Sequence, residues 1–529
     1  MFNVVRALDR NAQRWPDAEA VVCGNRRLSH AALARRVHAL AAGLQELGVG
    51  RGDVVAILLH NSIEFLEATF GINKIGAIFL PLNTRLAPDE WRYIIEHAGA
   101  IAVATEPSFT SVLDQLRPML PSIRHVVVIR GGDTVNGSGP LASPGDALNP
   151  RDGAIDYDDL LRRHDGSVVP TTNAAETDLQ RLMYTSGTTA RPKGVPLTYG
   201  NVLWKTIGHV VEFGITAADC TLIAGPMYHV GGFDLPGTGV LYVGGSLVIL
   251  QKFNARDVML AIEDERPTNL WLAPSMVNAI LALDDLDSFD TTSVRFITNG
   301  GEKMPVPLVQ RLLHAFPAAW LADSYGLTET VSGDTFLDSD HVLSKLGSVG
   351  RPVLHLDVRV VDERGQEVSP GTSGEIVLRG PKVFHGYWRD PDATAKAILD
   401  GWFHTGDVGY VDADGYLFIE DRKKDMIVSG GENVATPEVE RVLYEHESVL
   451  EAAVVGVPDE RWAEVPLAVV VLRPGVRTTA EELTEHCTGR LAKFKVPKEI
   501  RFVEELPRGP SGKVLKRELR NQFGGRAGA

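Results

Sequence analysis

The apolar residues in the first third of the chain fall into short runs, separated by stretches with helical periodicity. The runs read AVVCG, VVAILL, AIFLPL, IAVAT and HVVVIR. This alternation predicts βα units and a mainly parallel sheet. The segment VVAILLHNSIEFLEATFGINKIGAIFLPL predicts strand, helix and strand, and the N-terminal MFNVVRALDRNAQRW predicts an amphipathic helix that ends before Pro16. Further strands are predicted at TLIAGP, GSLVIL, NLWLAP and VRFITNGG.

The pattern changes from about Leu354 onward. LDVRVVDERGQEVSPGTSGEIVLRG and GYVDADGYLFIED alternate apolar and polar positions and are interrupted by Gly, Asp and Pro, which is typical of antiparallel hairpins. After Arg422 the pattern indicates a smaller unit that mixes helices and strands. We therefore predict an N-terminal domain of residues 1–422 and a C-terminal domain of residues 423–529, both of ordinary domain size.

Composition narrows the class of protein. The chain has 529 residues, of which 44% are hydrophobic and 23% charged, as in globular proteins with more than one domain. Its 68 acidic and 53 basic residues give a net charge of −15, which argues against a nucleic-acid partner. Cys23, Cys220 and Cys487 form no CxxC motif and no disulfide framework. Because we find neither an apolar signal core nor a window long enough to span a membrane, we expect a cytoplasmic protein without a membrane span.

Residues 184–195, YTSGTTARPKGV, carry the first candidate chemistry. Small hydroxyl residues and a glycine allow a phosphate chain to approach backbone N–H groups, and Lys193 adds a positive charge. A P-loop needs lysine directly after its second glycine and a hydroxyl residue after the lysine. Here Pro192 precedes Lys193 and Gly194 follows it, so a P-loop is excluded. A plain Ser/Thr/Gly turn between strands is the alternative.

Three further segments carry residues that suit a nucleotide. In DSYGLTET, Tyr325 offers a flat face to a purine and Glu329 offers a carboxylate to Mg²⁺, whereas the alternative is a helix cap at Thr328. Asn299 and the glycine pair after it follow the strand VRFIT, where ligands bind in open parallel sheets. Asp407 in WFHTGD suits the two ribose hydroxyls, and the alternative is an Asx-turn.

Lys513 follows a Gly/Pro/Ser loop near the C-terminus, where a mobile lysine could reach a developing anion; an ordinary surface lysine is the alternative. Together these segments resemble the adenylate-forming superfamily of acyl-CoA synthetases, luciferases and peptide-synthetase adenylation domains. The motifs occur in the family's order between about Arg27 and Lys516, and DRKKDMIVSGGENV looks most like fatty-acyl-CoA and aryl-CoA ligases. The six motifs are YTSGTTARPKG, PMYHVGG, DSYGLTE, WFHTGD, DRKKDMIVSGGENV and PRGPSGKVLK.

The resemblance implies a fold and a reaction. The fold is α/β, with a large N-terminal domain of βα sheets plus a distorted antiparallel β-barrel and a small mobile α+β C-terminal domain with its hinge at Lys424. The reaction joins a carboxylic acid to AMP, releases pyrophosphate and transfers the acyl group to coenzyme A. ATP, Mg²⁺ and coenzyme A are the implied cofactors.

The resemblance also implies a role for each matched residue. Lys513 binds the acid and the α-phosphate, Thr328 contacts the α-phosphate, and Glu329 holds Mg²⁺. His229 is the gating residue between the phosphate and acid sites. The nucleotide site comprises Thr185, Ser186, Gly187, Thr188, Thr189, Lys193, Gly300, Gly301, Glu302, Asp323, Ser324, Tyr325, Gly326, Thr328, Asp407, Ile419 and Arg422. The coenzyme A passage comprises Ser429, Gly430, Gly431 and Glu432. The acid pocket comprises His229, Gly231, Gly232, Phe233, Ala273, Asn299, Gly326 and Val331.

Three residues bear on how far the resemblance extends. Ala190 stands where the family has glycine, and Ala435 where tyrosine or serine is common, which puts ATP binding and one coenzyme A contact in question. Asp234 is similar to the aspartate that pairs with the amine in amino-acid-activating domains. The alternatives are an adenylating enzyme that loads a separate carrier protein, a non-catalytic acyl-nucleotide binder and luciferase-type oxidation. Long-chain, alicyclic and aromatic acids all remain open, and so does a homodimer.

Overall fold

The computed structural model describes residues 3–130, 153–185, 192–300, 304, 306–422, 425–429, 432–459, 462–488, 490–509 and 513–523. The helices are α1 (Arg6–Arg14), α2 (His30–Glu46), α3 (Ile63–Lys74), α4 (Pro88–Ala98), α5 (Pro107–Leu116), α6 (Tyr157–Arg163), α7 (Tyr199–Glu212), α8 (Val230–Phe233), α9 (Gly239–Val243), α10 (Ala255–Glu265), α11 (Pro274–Ile280), α12 (Val306–Ala315), α13 (Pro391–Ala397), α14 (Thr436–Tyr444), α15 (Ala480–Thr488) and α16 (Lys516–Phe523). The strands are β1 (Glu19–Cys23), β2 (Arg26–Ser29), β3 (Val54–Leu58), β4 (Ile78–Pro81), β5 (Ala100–Thr105), β6 (His125–Val128), β7 (Ile155–Asp156), β8 (Leu179–Thr185), β9 (Lys193–Thr198), β10 (Cys220–Ile223), β11 (Ser246–Ile249), β12 (Asn269–Leu272), β13 (Phe296–Asn299), β14 (Trp320–Ala322), β15 (Ser324–Tyr325), β16 (Thr335–Phe336), β17 (Arg351–Pro352), β18 (Asp357–Val361), β19 (Gly374–Arg379), β20 (Ile398–Leu399), β21 (Trp402–Val411), β22 (Leu417–Arg422), β23 (Ile427–Ser429), β24 (Glu432–Val434), β25 (Val449–Asp459), β26 (Ala463–Leu472) and β27 (Glu499–Phe502).

Two large sheets make up most of the N-terminal part. Among the described residues each has seven strands, in the orders β7-β6-β5-β3-β4-β8-β9 and β14-β13-β12-β10-β11-β1-β2. Their central strands pair in parallel, which confirms the predicted βα units. All five residues of β3 are buried, because helices cover both faces of a parallel sheet.

Polar caps start the helices that follow these strands. Ser29 accepts a hydrogen bond from the Ala32 N–H (3.2 Å) at the start of α2, and Ser62 accepts one from the Phe65 N–H (3.1 Å) at the start of α3. Apolar residues of α2, α3 and both sheets share one core. Apolar residues of β8 and β13 pack in a second core, and Thr185 and Asn299 stand at the carboxyl ends of these two strands.

Antiparallel strands follow in the second half of the N-terminal part. β18, β19, β20, β21 and β22 form one sheet, and β15, β16 and β17 form a small one. These pairings confirm the hairpins predicted after Leu354. The hairpin of β21 and β22 places Asp407 opposite Arg422.

The C-terminal part combines β23 to β27 with α14, α15 and α16 around its own apolar core. This mixture of elements, with the two large sheets before it, confirms the predicted fold class. The boundary between residues 422 and 423 stays a prediction, and the expected hinge Lys424 lies outside the described residues. Within those residues, none of the helices has both the length and the apolar character needed to cross a membrane.

One buried carboxylate joins the two parts. Asp421, at the end of β22, accepts hydrogen bonds from the N–H (2.8 Å) and the hydroxyl (2.7 Å) of Thr436, the first residue of α14. The side chain of Asp421 is therefore buried and engaged by the first turn of α14.

Candidate active site

The phosphate-loop motif connects two paired strands. β8 and β9 are antiparallel, with Thr185 opposite Lys193. The loop between them, with Ser186, Gly187, Thr188, Thr189 and Ala190, lies outside the described residues. The Lys193 ammonium lies 4.8 Å from the centroid of the Tyr387 ring, so a cation–π contact fixes the end of this lysine.

The DSYGLTET motif forms a closed loop. Tyr325 ends β15, the turn Thr328–Thr330 is 3₁₀, and the Asp334 N–H returns to donate to the Tyr325 carbonyl (2.7 Å). A Cβ atom at Gly326 would lie 2.3 Å from the Gly333 nitrogen, so only glycine fits there. The loop thereby presents the predicted adenine platform and the two predicted phosphate-site residues from one rigid segment.

Three consecutive left-handed residues close this loop. Val331, Ser332 and Gly333 have φ of 60°, 65° and 63°, and a β-branched residue such as Val331 adopts this region only under constraint. The constraint is Lys382, whose buried ammonium donates to the carbonyls of Ser332 (3.0 Å) and Gly333 (2.6 Å). The same ammonium lies 2.8 Å from a carboxylate oxygen of the buried Asp334.

The predicted ribose residue contacts the predicted adenine platform. The Tyr325 hydroxyl donates to Asp407 Oδ2 (2.7 Å). Burial raises the pKa of the Tyr325 phenol well above its usual range, and the nearby Asp407 carboxylate raises it further. The phenol therefore keeps its proton and orients the carboxylate. Arg422 lies opposite Asp407 in the ladder, and its side chain is outside the described part of the structure.

Asn299 ties the end of β13 to the same loop. Its Oδ1 accepts from the Ser324 N–H (3.2 Å), and the Ser324 hydroxyl donates to the Asn299 carbonyl. A Cβ atom on Gly300 would lie 3.1 Å from Ser324 Oγ, so backbone and loop are closely packed here. Gly301 and Glu302 lie outside the described residues. Asp323 is buried beside this junction, and Ile419 packs against the core from β22.

Glu329 is held from two sides by a segment that the sequence analysis did not single out. The Phe384 N–H donates to the Glu329 carbonyl (2.8 Å), and the Tyr387 hydroxyl donates to Glu329 Oε1 (3.0 Å). Both come from GPKVFHGYW, between β19 and α13. In the sequence, the aromatic pair Tyr387-Trp388 after Gly386 was the only sign that this segment contributes to the site.

The surroundings of Glu329 fit a magnesium ion. Its carboxylate is 8% exposed and offers a hard oxygen ligand. Within the described part of the chain, no three His, Cys, Asp or Glu residues are grouped as a metal site. Mg²⁺ bound to a nucleotide takes most of its ligands from phosphates and water, so one protein carboxylate is what such a site requires.

His229, the predicted gating residue, caps the start of α8. Its Nδ1 accepts a hydrogen bond from the Gly231 N–H (3.1 Å) at the start of α8. Burial and the nearby Lys513 ammonium lower the His229 pKa to about 4, so the ring is neutral at pH 7. The hydrogen bond at Nδ1 places its proton on Nε2.

Trp271 in β12 borders the same region. Its ring centroid lies 6.3 Å from that of His229, and the two planes are inclined by 36°. A Cβ atom would lie 3.0 Å from two indole atoms if it were added at Gly231, and 2.8 Å from one if added at Gly225. The two glycines thus leave room for the indole. Within NLWLAP this tryptophan had predicted only a strand.

Three other residues expected in the acid pocket, Gly232, Phe233 and Ala273, differ in how they are packed. Phe233 is buried and packs edge-on against Phe65, with 6.0 Å between ring centroids. A Cβ atom at Gly232 would lie 2.4 Å from the Pro226 carbonyl oxygen, so no side chain fits there. Ala273 precedes α11 at the end of β12.

The carboxylate of Asp234 forms a buried ion pair with Arg181. Its carboxylate receives two hydrogen bonds of 2.9 Å from the Arg181 guanidinium, and the Lys205 ammonium lies 4.0 Å away. The carboxylate is 1% exposed. Asp234 is therefore not placed to pair with the amine of an amino-acid substrate.

The C-terminal part contributes Lys513 and the predicted coenzyme A residues. Lys513 lies between Arg508 and Val514, which form an antiparallel bridge. Ser429 lies opposite Glu432 in the β23–β24 pair, while Gly430 and Gly431 lie outside the described residues and the Glu432 side chain is likewise not described. Ala435 precedes α14 and supplies no side-chain cap.

Comparison with known proteins adds to this geometry. The sequence matches the model of the AMP-binding enzyme family over residues 8–388 and that of the AMP-binding enzyme C-terminal domain over residues 438–513. It is 38% identical over 515 residues to a feruloyl-CoA synthase of Amycolatopsis sp, with 97% of this chain and 98% of the relative covered. It is 37% identical over 513 residues to an indoleacetate–CoA ligase of Aromatoleum aromaticum, covering 97% and 96%. A solved anthranilate CoA ligase in complex with anthranoyl-AMP superimposes with a TM-score of 0.90 at 28% identity, covering 98% and 97%.

Proposed function

Given that this chain belongs to the AMP-binding enzyme family and is an AMP-forming acid–CoA ligase, we propose that it activates an aromatic carboxylic acid. A carboxylate oxygen of the acid attacks the α-phosphorus of ATP, the bond from that phosphorus to the β-phosphate oxygen breaks, and pyrophosphate leaves. The thiol sulfur of coenzyme A then attacks the acyl carbon, the bond to AMP breaks, and the thiol proton passes to solvent.

We propose a role for each nucleotide residue that agrees with its contacts in the structure. Tyr325 receives adenine on its ring while its hydroxyl orients Asp407 toward the ribose. Lys193 binds the outer phosphates together with the loop before it. Glu329 is the carboxylate that would hold Mg²⁺, which neutralises phosphate charge when bound. Thr328, on the same turn, faces the α-phosphate.

We propose that Lys513 and His229 both act where the acid meets the α-phosphate. The acid and the α-phosphate are both anions, so the first step needs a positive charge between them. Lys513 supplies it, and its influence on the His229 pKa supports this placement. His229 contributes a neutral Nε2–H donor. For the second step we propose that the C-terminal part turns at Lys424, withdraws Lys513 and brings Ser429 and Glu432 toward the thiol.

Trp271 is the observation that supports an aromatic acid. Its indole lies beside His229, in the space left by Gly225 and Gly231. A flat indole favours stacked or edge-on contact with another ring, worth about 0.5–1.5 kcal/mol beyond burial. The relatives named for ferulate, indoleacetate and anthranilate agree with this choice.

A panel of acids tests the proposal. We expect thioester formation from ATP, free coenzyme A and ferulic, indoleacetic, 2-succinylbenzoic or anthranilic acid to exceed that from octanoic and cyclohexanecarboxylic acid, as read by mass spectrometry. Trp271→Leu should lower kcat/KM for aromatic acids roughly 2- to 12-fold and leave the KM for ATP unchanged. Trp204→Leu, at a half-buried tryptophan bonded to Glu176, is the matched control.

Three outcomes would count against the proposal. An equal loss for aromatic and aliphatic acids in the Trp271 variant would remove Trp271 as a ring contact. Preference for an aliphatic acid in the unmodified enzyme would overturn the substrate class itself. Thioester formed only on a carrier protein would replace coenzyme A as the acceptor.

A further inference from the structure

Tyr387 is a single side chain that contacts the two charged residues expected at the triphosphate. Its hydroxyl donates to Glu329 Oε1 at 3.0 Å, and the Lys193 ammonium lies 4.8 Å from its ring centroid. Strand β9, which begins with Lys193, packs against the turn that carries Glu329. One phenol therefore engages an anion through its hydroxyl and a cation through its ring.

The segment around Tyr387 is fastened on several sides. The Tyr387 N–H donates to Thr394 Oγ1 (2.9 Å) in α13, and its ring packs edge-on against Phe384 at 5.0 Å. The next residue, Trp388, donates its N–H to the Gly194 carbonyl (2.8 Å), directly after Lys193. Backbone and ring contacts thus fix the phenol in place before any nucleotide binds.

The chemistry of the two contacts gives Tyr387 a function. A phenol, with an ordinary pKa of about 10, is protonated at neutral pH, so the Tyr387 hydroxyl is a donor to Glu329. A carboxylate and an ammonium on adjoining elements attract each other and could form a direct ion pair, in which neither would be directed at a ligand. A cation–π contact is worth only about 0.5–2 kcal/mol, so Lys193 is oriented yet can transfer to a phosphate.

We propose that Tyr387 is a positioning residue that keeps Glu329 and Lys193 apart and aligned for a metal-bound triphosphate. The proposal rests on the ATP-dependent function above, and it concerns how this chain prepares its own carboxylate and ammonium. Partners that orient a metal ligand typically contribute about 10- to 100-fold to metal affinity or activity.

Two variants separate the two contacts. Tyr387→Phe keeps the ring under Lys193 and removes the donor to Glu329, whereas Tyr387→Leu removes both. Tyr416→Phe is a matched control: the Tyr416 hydroxyl donates to Asp338 (2.7 Å) and the Lys345 ammonium lies 5.0 Å from its ring, in the same arrangement outside the site.

Calorimetric titration with ATP, in excess Mg²⁺ and in EDTA, reads binding without turnover. For Tyr387→Phe we expect MgATP to bind about tenfold more weakly while ATP in EDTA binds as in the unmodified enzyme. For Tyr387→Leu we expect ATP in EDTA to weaken as well, by roughly 2- to 5-fold. ATP–pyrophosphate exchange should show the half-saturating Mg²⁺ concentration raised in both, with the KM for the acid unchanged.

The outcomes distinguish this proposal from the function on which it rests. Absence of pyrophosphate exchange in the unmodified enzyme, with every acid tried, would overturn the function. Exchange in all variants, with the Mg²⁺ dependence of Tyr387→Phe equal to that of Tyr416→Phe, would overturn the role of Tyr387 alone. A rise in the KM for the acid without a change in Mg²⁺ dependence would show a general packing role instead.

Discussion

Lys382 fastens the loop that carries Tyr325, Thr328 and Glu329, so its replacement by methionine should both destabilise the protein and weaken ATP binding. Methionine keeps the length and the apolar stem of the side chain but removes the ammonium. The Ser332 carbonyl then loses its Lys382 donor, the Gly333 carbonyl keeps only His209 Nε2 at 3.1 Å, and Asp334 remains buried without its positive partner.

The size of the effect follows from these contacts. Removing one partner of a buried ion pair costs about 3–5 kcal/mol, because the remaining charge stays out of water. With an unfolding entropy of roughly 2.1 cal/mol/K per residue, a cooperative unit of roughly 400 residues loses about 4–6 °C in Tm for that change. The left-handed turn at Val331 also loses its constraint, so the KM for ATP should rise even in the folded enzyme.

Calorimetry and pyrophosphate-exchange kinetics measure the two effects. Lys345→Met is the control, because Lys345 pairs near the surface with the half-buried Asp412 and the exposed Asp414, and ion pairs at the surface contribute only about 0–1 kcal/mol. Adding Asp334→Asn to Lys382→Met removes the unpaired charge and should restore much of the lost Tm. A Tm shift no larger than that of Lys345→Met, or no recovery in the double variant, would refute this reasoning.

Two substitutions and one titration probe the site further. Lys513→Ala should lower the rate of adenylation by roughly 10²–10³ and leave thioester formation from supplied acyl-AMP almost intact, which stopped-flow assays of the two half-reactions would separate. Tyr325→Phe removes a donor to a carboxylate, worth about 1.5–3 kcal/mol, so the KM for ATP should rise at least tenfold without a change in the KM for the acid. His229 should titrate near pH 4 by NMR rather than near 6.5. Because its folded pKa lies below its unfolded value, its contribution to stability is complete above about pH 6.5 and falls as the pH drops toward 4.

The periodic parts of the sequence predicted the fold because burial alone determines them. The run VVAILL became the fully buried β3, and the alternating segments after Leu354 became antiparallel pairs. The glycine and hydroxyl motifs pointed to strand ends because a ligand needs close access to backbone there. The roles of those residues stay predictions that the experiments above address.

The supporting residues could not be predicted, because their importance lies in contacts between distant segments. Trp271 had predicted only a strand residue, and its position beside His229 depends on two glycines elsewhere in the chain. Lys382 and Tyr387 fall in a segment without periodicity, and they matter only because it packs against the DSYGLTET loop. Asp234 shows the converse, since its sequence context suggested a ligand contact and Arg181 occupies its carboxylate.

The hydrogen bonds from Thr436 to the Asp421 carboxylate can report how the C-terminal part is oriented relative to the N-terminal part. Asp421 is the next-to-last residue of the last strand before the expected hinge, and Thr436 begins the first helix after it. A turn of the chain at Lys424 would move these residues relative to each other and release the Thr436 amide from its carboxylate. Deuterium uptake at the Thr436 amide would then report the fraction of molecules in which the C-terminal part has turned away from Asp421. The measurement needs no attached label.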